Sequence, residues 1–240
     1  MAMINCPKCN ESISSKAKVC PYCNSKLRNG KKKAIIIISV IIVILIAMAV
    51  IFKIQYDKKK EREAKEAREK YVTEYNMCVD NFNSIWRRAE NALNTSDYLV
   101  ALTNDVWYGA IFQKGTTDNI KYIYKDQVVQ TYQQAIQNMY ADASVKADIS
   151  SIKQIQSDIE QLYKDTENAP DELKEVRSAA SDFITAFNDR MNFSTEASGS
   201  LSSYATTYAN KKSTYNSKLS TFKNKIPDRL ETSYEKSTID

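Results

Sequence analysis

The sequence contains no histidine. That absence removes Ser-His-Asp and Cys-His catalysis and every His-ligated metal. Glycine and proline are also scarce, at four each in 240 residues. Tight turns rely on these two residues, so their scarcity argues against a turn-rich β fold and for long helices. A glycine-rich phosphate loop, a nucleophile elbow and a DxD pair at metal spacing are all missing. The acidic pairs Asp158 and Glu160, Glu172 and Glu175, and Asp182 and Asp189 come with no second motif and read as solvated faces.

Charge is present but uneven. Residues 1–70 carry 16 Lys/Arg against 6 Asp/Glu, whereas residues 71–240 carry 18 against 23. The basic part surrounds the longest apolar run, a pattern suited to an anionic membrane surface. The mildly acidic remainder would repel phosphates, so nucleic acid is not expected as its partner.

Four of the five cysteines form two CxxC pairs, Cys6-Pro7-Lys8-Cys9 and Cys20-Pro21-Tyr22-Cys23. Four thiolates are the number that closes a tetrahedral structural zinc site, and Zn²⁺ is the expected cofactor. Asn10 and Asn24 follow the pairs, where a knuckle turns sharply and a positive φ is expected; Asn tolerates that conformation. The shared proline makes the segment a pseudo-repeat. Ile4, Ile13, Val19 and Leu27 offer only a small apolar cluster, so metal must supply most of the folding free energy, roughly 10–16 kcal/mol in comparable peptides. The other readings are two disulfides in an oxidising compartment, or a thioredoxin-like redox pair, although no βαβ pattern flanks either motif.

Residues 34–52 are 19 uncharged positions, mostly Ile and Val, with Ser39 the one polar side chain. At 1.5 Å per residue they span about 28 Å, close to the hydrocarbon thickness of a bilayer. Lipid forces an isolated segment into a helix, since unpaired backbone is too costly there. A buried core helix is one alternative. Cleavage after Ala47-Met48-Ala49 as a signal peptide is another, against which stand the length of the run and the 33 residues before it. Lys/Arg number eight in residues 1–33 and eight in residues 53–70, so flanking charge leaves orientation tied. Thiolates persist best in a reducing cytosol, which places the N-terminus inside.

The segment Cys6 to Cys23, followed by a basic stretch and one apolar span, resembles the zinc-ribbon single-pass membrane proteins of Gram-positive bacteria. Asn stands where that family usually has Gly after the knuckle. The resemblance covers roughly the first 55 residues in motif and the rest in layout only. It implies a cytoplasmic ribbon with a larger domain outside the cell.

Beyond the span, residues 57–70 alternate in sign and lack an apolar stripe. They read as a charged helical stalk, with Glu61–Lys65 and Glu66–Lys70 as favourably ordered pairs; a lipid-headgroup or nucleic-acid patch is the alternative. Helical periodicity then begins at Tyr71 and predicts six helices: 71–93, 97–113, 119–142, 145–167, 170–193 and 200–226. Thr95 or Ser96 is expected to cap the second, Gly115 to close it, Thr116-Thr117-Asp118 to cap the third, and Pro170 to start the fifth. Cys78 lies on an apolar stripe and reads as a buried thiol. Thirteen of the 15 tyrosines follow residue 70 and either fill half-buried rims or line a sugar- or peptide-binding groove. The Ser/Thr-rich stretch 194–221 is either a flexible or adhesive face or a weakly packed helix.

The expected architecture is therefore mainly α: a zinc ribbon (1–30), a transmembrane helix with its basic flank (31–53), a stalk (54–70), an extracytoplasmic all-α helical bundle (71–227) and a tail (228–240). The expected function is a non-enzymatic membrane-anchored protein whose bundle binds a protein or envelope partner or senses an envelope state. A membrane-tethered regulator whose ribbon contacts nucleic acid or transcription machinery through Lys8, Lys16, Lys18, Lys26 and Arg28 is the second reading. An enzyme in the outer domain is a third, opposed by the missing site chemistry.

Overall fold

The computed structural model describes residues 2–27, 30–125 and 128–231. The fold is mainly helical and divides into two compact units, Met1–Glu66 and Ala67–Asp240.

The first unit opens with β1 (Met3–Asn5) and β2 (Ser12–Ser14), an antiparallel pair in which Ile4 faces Ile13. Helix α1 (Gly30–Asn91) starts in this unit and continues into the second. From Ile35 to Phe52 its apolar side chains are exposed, so this segment is not the core helix of either unit. It is long and apolar enough to cross a membrane. Ser39, its one polar side chain, donates to the Ile36 carbonyl at 2.8 Å and so needs no outside partner. Farther along, α1 carries i,i+4 pairs at Lys59–Glu63, Arg62–Glu66 and Lys70–Glu74, so Glu66 and Lys70 of the expected Glu66–Lys70 pair each take another partner. All are highly exposed and contribute little to stability.

In the second unit α1 is followed by α2 (Leu93–Phe112), α3 (Ile120–Ile123), an antiparallel pair of β3 (Tyr124–Lys125) and β4 (Val128–Val129), α4 (Tyr132–Ala141), α5 (Ala143–Lys164), a 3-10 turn (Asp171–Leu173), α6 (Lys174–Ser194) and α7 (Leu201–Lys223). Helices α6 and α7 pair most extensively, and α2 packs on α4, α6 and α7. The core is aromatic at its centre: Phe183 stacks on Phe222 at 5.4 Å, Phe82 of α1 meets Phe222 edge-on at 6.1 Å, and Tyr215 approaches Phe183 at 5.4 Å. A smaller cluster joins Val100, Trp107, Phe193, Tyr204 and Tyr208. Cys78 is buried as expected, and burial pushes its thiol pKa up.

Several boundaries differ from the sequence reading. The expected helix 119–142 is broken. Within it Tyr124–Lys125 and Val128–Val129 pair as antiparallel strands; Tyr124, Val128 and Val129 are residues that favour extended backbone, and the periodic spacing of apolar residues hid that break. Thr131 and Gln134 then start α4 as a reciprocal capping box. Neither Thr95 nor Ser96 caps α2, which begins at Leu93 directly after a one-residue break at Ala92; Ser96 is buried and bonds the Tyr208 hydroxyl at 2.8 Å. Gln113, not Gly115, takes the left-handed conformation that ends α2 (φ 54°). The following loop is held by buried Asn119, which accepts from the Thr116 N–H at 2.6 Å and donates to the Asp105 carbonyl at 3.1 Å. Thr116-Thr117-Asp118 therefore caps nothing. Pro170 precedes the 3-10 turn, and α6 starts only at Lys174. From Leu201 on, the Ser/Thr-rich stretch is the packed helix α7, with Tyr204, Tyr208, Tyr215 and Phe222 buried along it. Tyrosine is thus a core residue here, beyond the half-buried rims expected. Of the expected tail 228–240, Leu230 is anchored: the Asn76 carboxamide donates to its carbonyl at 2.9 Å and accepts from its N–H at 2.8 Å.

Candidate metal centre

The two CxxC pairs fold as the same device. Cys6 N–H donates to the Glu11 carbonyl and Asn10 N–H to the Cys6 carbonyl, both at 2.9 Å. Cys20 and Asn24 repeat this with the Ser25 and Cys20 carbonyls at 2.8 and 2.9 Å. Asn10 (φ 60°) and Asn24 (φ 55°) both sit in the left-handed region, where the sequence placed them. Two local turns, each closed by its own backbone, thus aim two thiols inward apiece. The β1–β2 pair carries the first turn, and a bridge between Val19 and Lys26 carries the second.

The result is a cluster of all four predicted residues. The Sγ atoms of Cys6, Cys9, Cys20 and Cys23 lie within 4.8 Å of one another. Cys6 and Cys23 stand 3.7 Å apart and Cys9 and Cys20 3.5 Å apart. A disulfide needs about 2.05 Å, so none of these is bonded, and all four are free thiols. A tetrahedron of thiolates about 2.3 Å from a central ion has edges of about 3.8 Å, close to the separations seen. The residues therefore fit a metal ion. Cys6 and Cys20 are buried against Ile13, and Cys9, Cys23 and Leu27 complete the small core.

The electrostatics of the cluster point the same way. A backbone N–H at Lys8 and the Ser25 hydroxyl, opposed by burial, bring the Cys6 thiol down to about 6. Cys23 is also lowered, chiefly by the Ser25 hydroxyl 3.0 Å from its sulfur. At Cys9 a backbone N–H from Glu11 works downward but is outweighed by burial and the three neighbouring sulfurs, which push it up to about 12. Four thiols this close cannot all ionise unaided, and a central cation is what removes the conflict. Ser25 was not singled out from the sequence. Its signal is position: it stands two residues after the second CxxC, where its hydroxyl reaches the sulfurs of Cys23 and Cys6.

The helical unit holds a polar cluster that the sequence reading also missed. Arg190 is 1% exposed. It donates through Nη2 to Asp97 at 2.8 Å and through Nε to the Tyr208 hydroxyl at 3.1 Å, and its guanidinium lies 5.0 Å from the Tyr215 ring. Asp97 also accepts from Tyr208 at 2.7 Å and Lys212 at 3.0 Å. Burial raises the Asp97 carboxyl pKa, but these three donors prevail and hold it below the usual carboxylate range. The arrangement joins α2, α6 and α7. Its one sequence signal is that Arg190 falls on the apolar stripe of α6, three residues after Phe187 and beside Met191.

Comparison of the chain with protein-family models, with curated proteins and with solved structures finds no match.

Proposed function

We propose that the chain is a single-pass membrane protein that holds Zn²⁺ through Cys6, Cys9, Cys20 and Cys23 in the cytoplasm, crosses the bilayer with the first part of α1, and carries an extracytoplasmic helical bundle that binds a partner or senses the envelope without catalysis. One observation carries the reading: four mutually close thiols sit in a miniature fold, directly followed by an exposed apolar helix segment of bilayer length. An all-sulfur tetrahedral donor set suits zinc, which brings no redox chemistry of its own. Free thiols in such a set favour the reducing side of the membrane. The resemblance to Gram-positive zinc-ribbon membrane proteins rests on the Cys6–Cys23 motif and the layout.

Two measurements test this. Elemental analysis of the purified chain should find one zinc per molecule and none after Cys6→Ser with Cys9→Ser; equal metal in both would refute the site. Protease added to intact cells should remove the helical unit and spare an N-terminal tag, and the opposite pattern would reverse the topology.

A second reading, nucleic-acid binding by the ribbon, is favoured by the exposure of Lys8, Lys16, Lys18 and Lys26. Arg28, the fifth basic residue of that set, lies outside the described residues. This reading requires salt-dependent DNA or RNA binding, and absence of binding at low salt removes it.

A further inference from the structure

We propose that the cleft between α2 and α4, bounded by the loop at Ala197 and Gly199, is a binding subsite for a neutral saccharide. The cleft has a volume of about 310 Å³, at the small end for ligand sites and enough for a sugar ring or two. Trp107 of α2 and Tyr132 of α4 line it, with their rings nearly parallel (12°) and centroids 5.9 Å apart. Tyr132 is 40% exposed and is the first residue of α4, inside the Thr131–Gln134 capping box, so the helix start fixes its position. Ile136 adds apolar surface.

Gln133 and Gln137 also line the cleft, four residues apart on the same helix. Neither carboxamide has a partner among the described residues, whereas Gln154, Gln156 and Gln161 of α5 each bond a neighbouring side chain. A carboxamide both donates and accepts, as does a hydroxyl, so an unengaged pair matches the rim of a sugar. The apolar face of a pyranose in turn matches an aromatic ring.

Charge narrows the ligand further. No ionisable acid or base other than the Tyr132 phenol lines this cleft, while the hollow between α6 and α7 presents Glu175, Asp182, Lys218 and Lys225. A phosphate or carboxylate would find no cation here, and an ammonium would find no anion. An extended peptide would need partners along its backbone, but the amides of α2 and α4 are committed within their own helices. A compact neutral polyol with one apolar face satisfies all of these conditions.

The inference deepens the binding role proposed for the helical unit and rests on that reading. The chain has two tryptophans, so Trp86→Phe leaves Trp107 as the one indole reporter. The full chain, held in a sugar-free zwitterionic detergent, is titrated with chitotetraose and with maltotetraose while Trp107 emission is followed. A saturable change with one of them is expected. Tyr132→Ala should weaken it about tenfold or more, with unchanged helical circular dichroism. The double change Gln133→Ala and Gln137→Ala, on an exposed face that cannot unfold the helix, should weaken it several-fold. No saturable change with either sugar up to about 10 mM overturns the proposal. So does an undiminished response in both variants, or saturation by an acetylated pentaproline amide in place of the sugars. Protease treatment of intact cells reports topology independently. Sugar binding by a protease-shielded helical unit would sink only the outward orientation, and an accessible unit that ignores both sugars would sink only this inference.

Discussion

Replacing Asp97 by alanine is expected to destabilise the helical unit far more than replacing Arg190 by methionine. Arg190 is 1% exposed, and its charge is compensated by one carboxylate at 2.8 Å. Removing one member of a buried pair leaves the other charged and unsolvated, which costs about 3–5 kcal/mol. Asp97 is 41% exposed on its side chain, so water partly replaces it, and about 2–3 kcal/mol is the better expectation. Arg190→Met removes the charge, keeps most of the volume and leaves Asp97 to Lys212, Tyr208 and solvent; about 1 kcal/mol or less is expected. The double variant should resemble Arg190→Met alone, a strong coupling in a mutant cycle. Urea unfolding followed by tryptophan emission reads the right unit, because Trp86 and Trp107 both lie beyond Ala67. The carboxyl pKa is lowered in the fold, so its stabilisation is complete at neutral pH and declines only as pH falls below the unfolded value, about 3.9, and through the lowered folded value. The deficit of Asp97→Asn should therefore be flat from pH 7 to about 5 and shrink below about 4. Equal losses for Asp97→Ala and Arg190→Met, or a deficit that vanishes by pH 6, would refute the reasoning.

Other outcomes follow from the same geometry. Gly109→Ala should cost about 1–3 kcal/mol, since an added carbon would overlap Ile123 and lie 2.6 Å from the Lys114 carbonyl oxygen; unchanged urea resistance would show that the close approach of the loop is not needed. Thr131→Ala removes half of the capping box on α4 and should cost about 1 kcal/mol, with amide exchange rising first in Tyr132–Ala141. A strong chelator should strip the ribbon and erase protection of the β1–β2 amides while tryptophan emission stays constant; retention of that protection without metal would mean the small cluster around Ile13 folds on its own.

The clustering of the four cysteines was legible because its information is local. Cys, Pro and Asn at fixed spacing dictate a turn, and two such turns leave little freedom for the four sulfurs. The long helices were legible because apolar spacing over 20 residues is redundant. What the sequence concealed depends on distant partners or on competition between near-equal local states. Asp97 and Arg190 are 93 positions apart, and nothing near either one announces the other. The run 119–142 keeps a helical spacing of apolar residues, yet Tyr124, Val128 and Val129 favour extended backbone, and there the chain pairs as two short strands. The cleft at Trp107 and Tyr132 joins residues whose pairing appears only once α2 and α4 are side by side.

The double hydrogen bond between Asn76 and Leu230 ties together two points 154 residues apart along the chain. Arg229 adds an ion pair with Asp80 at 3.6 Å beside it, so tension on the chain at Leu230 would load both links together. The segment after α7 is thereby latched onto α1, and a truncation before Arg229 would release both fastenings where one after Leu230 would keep them.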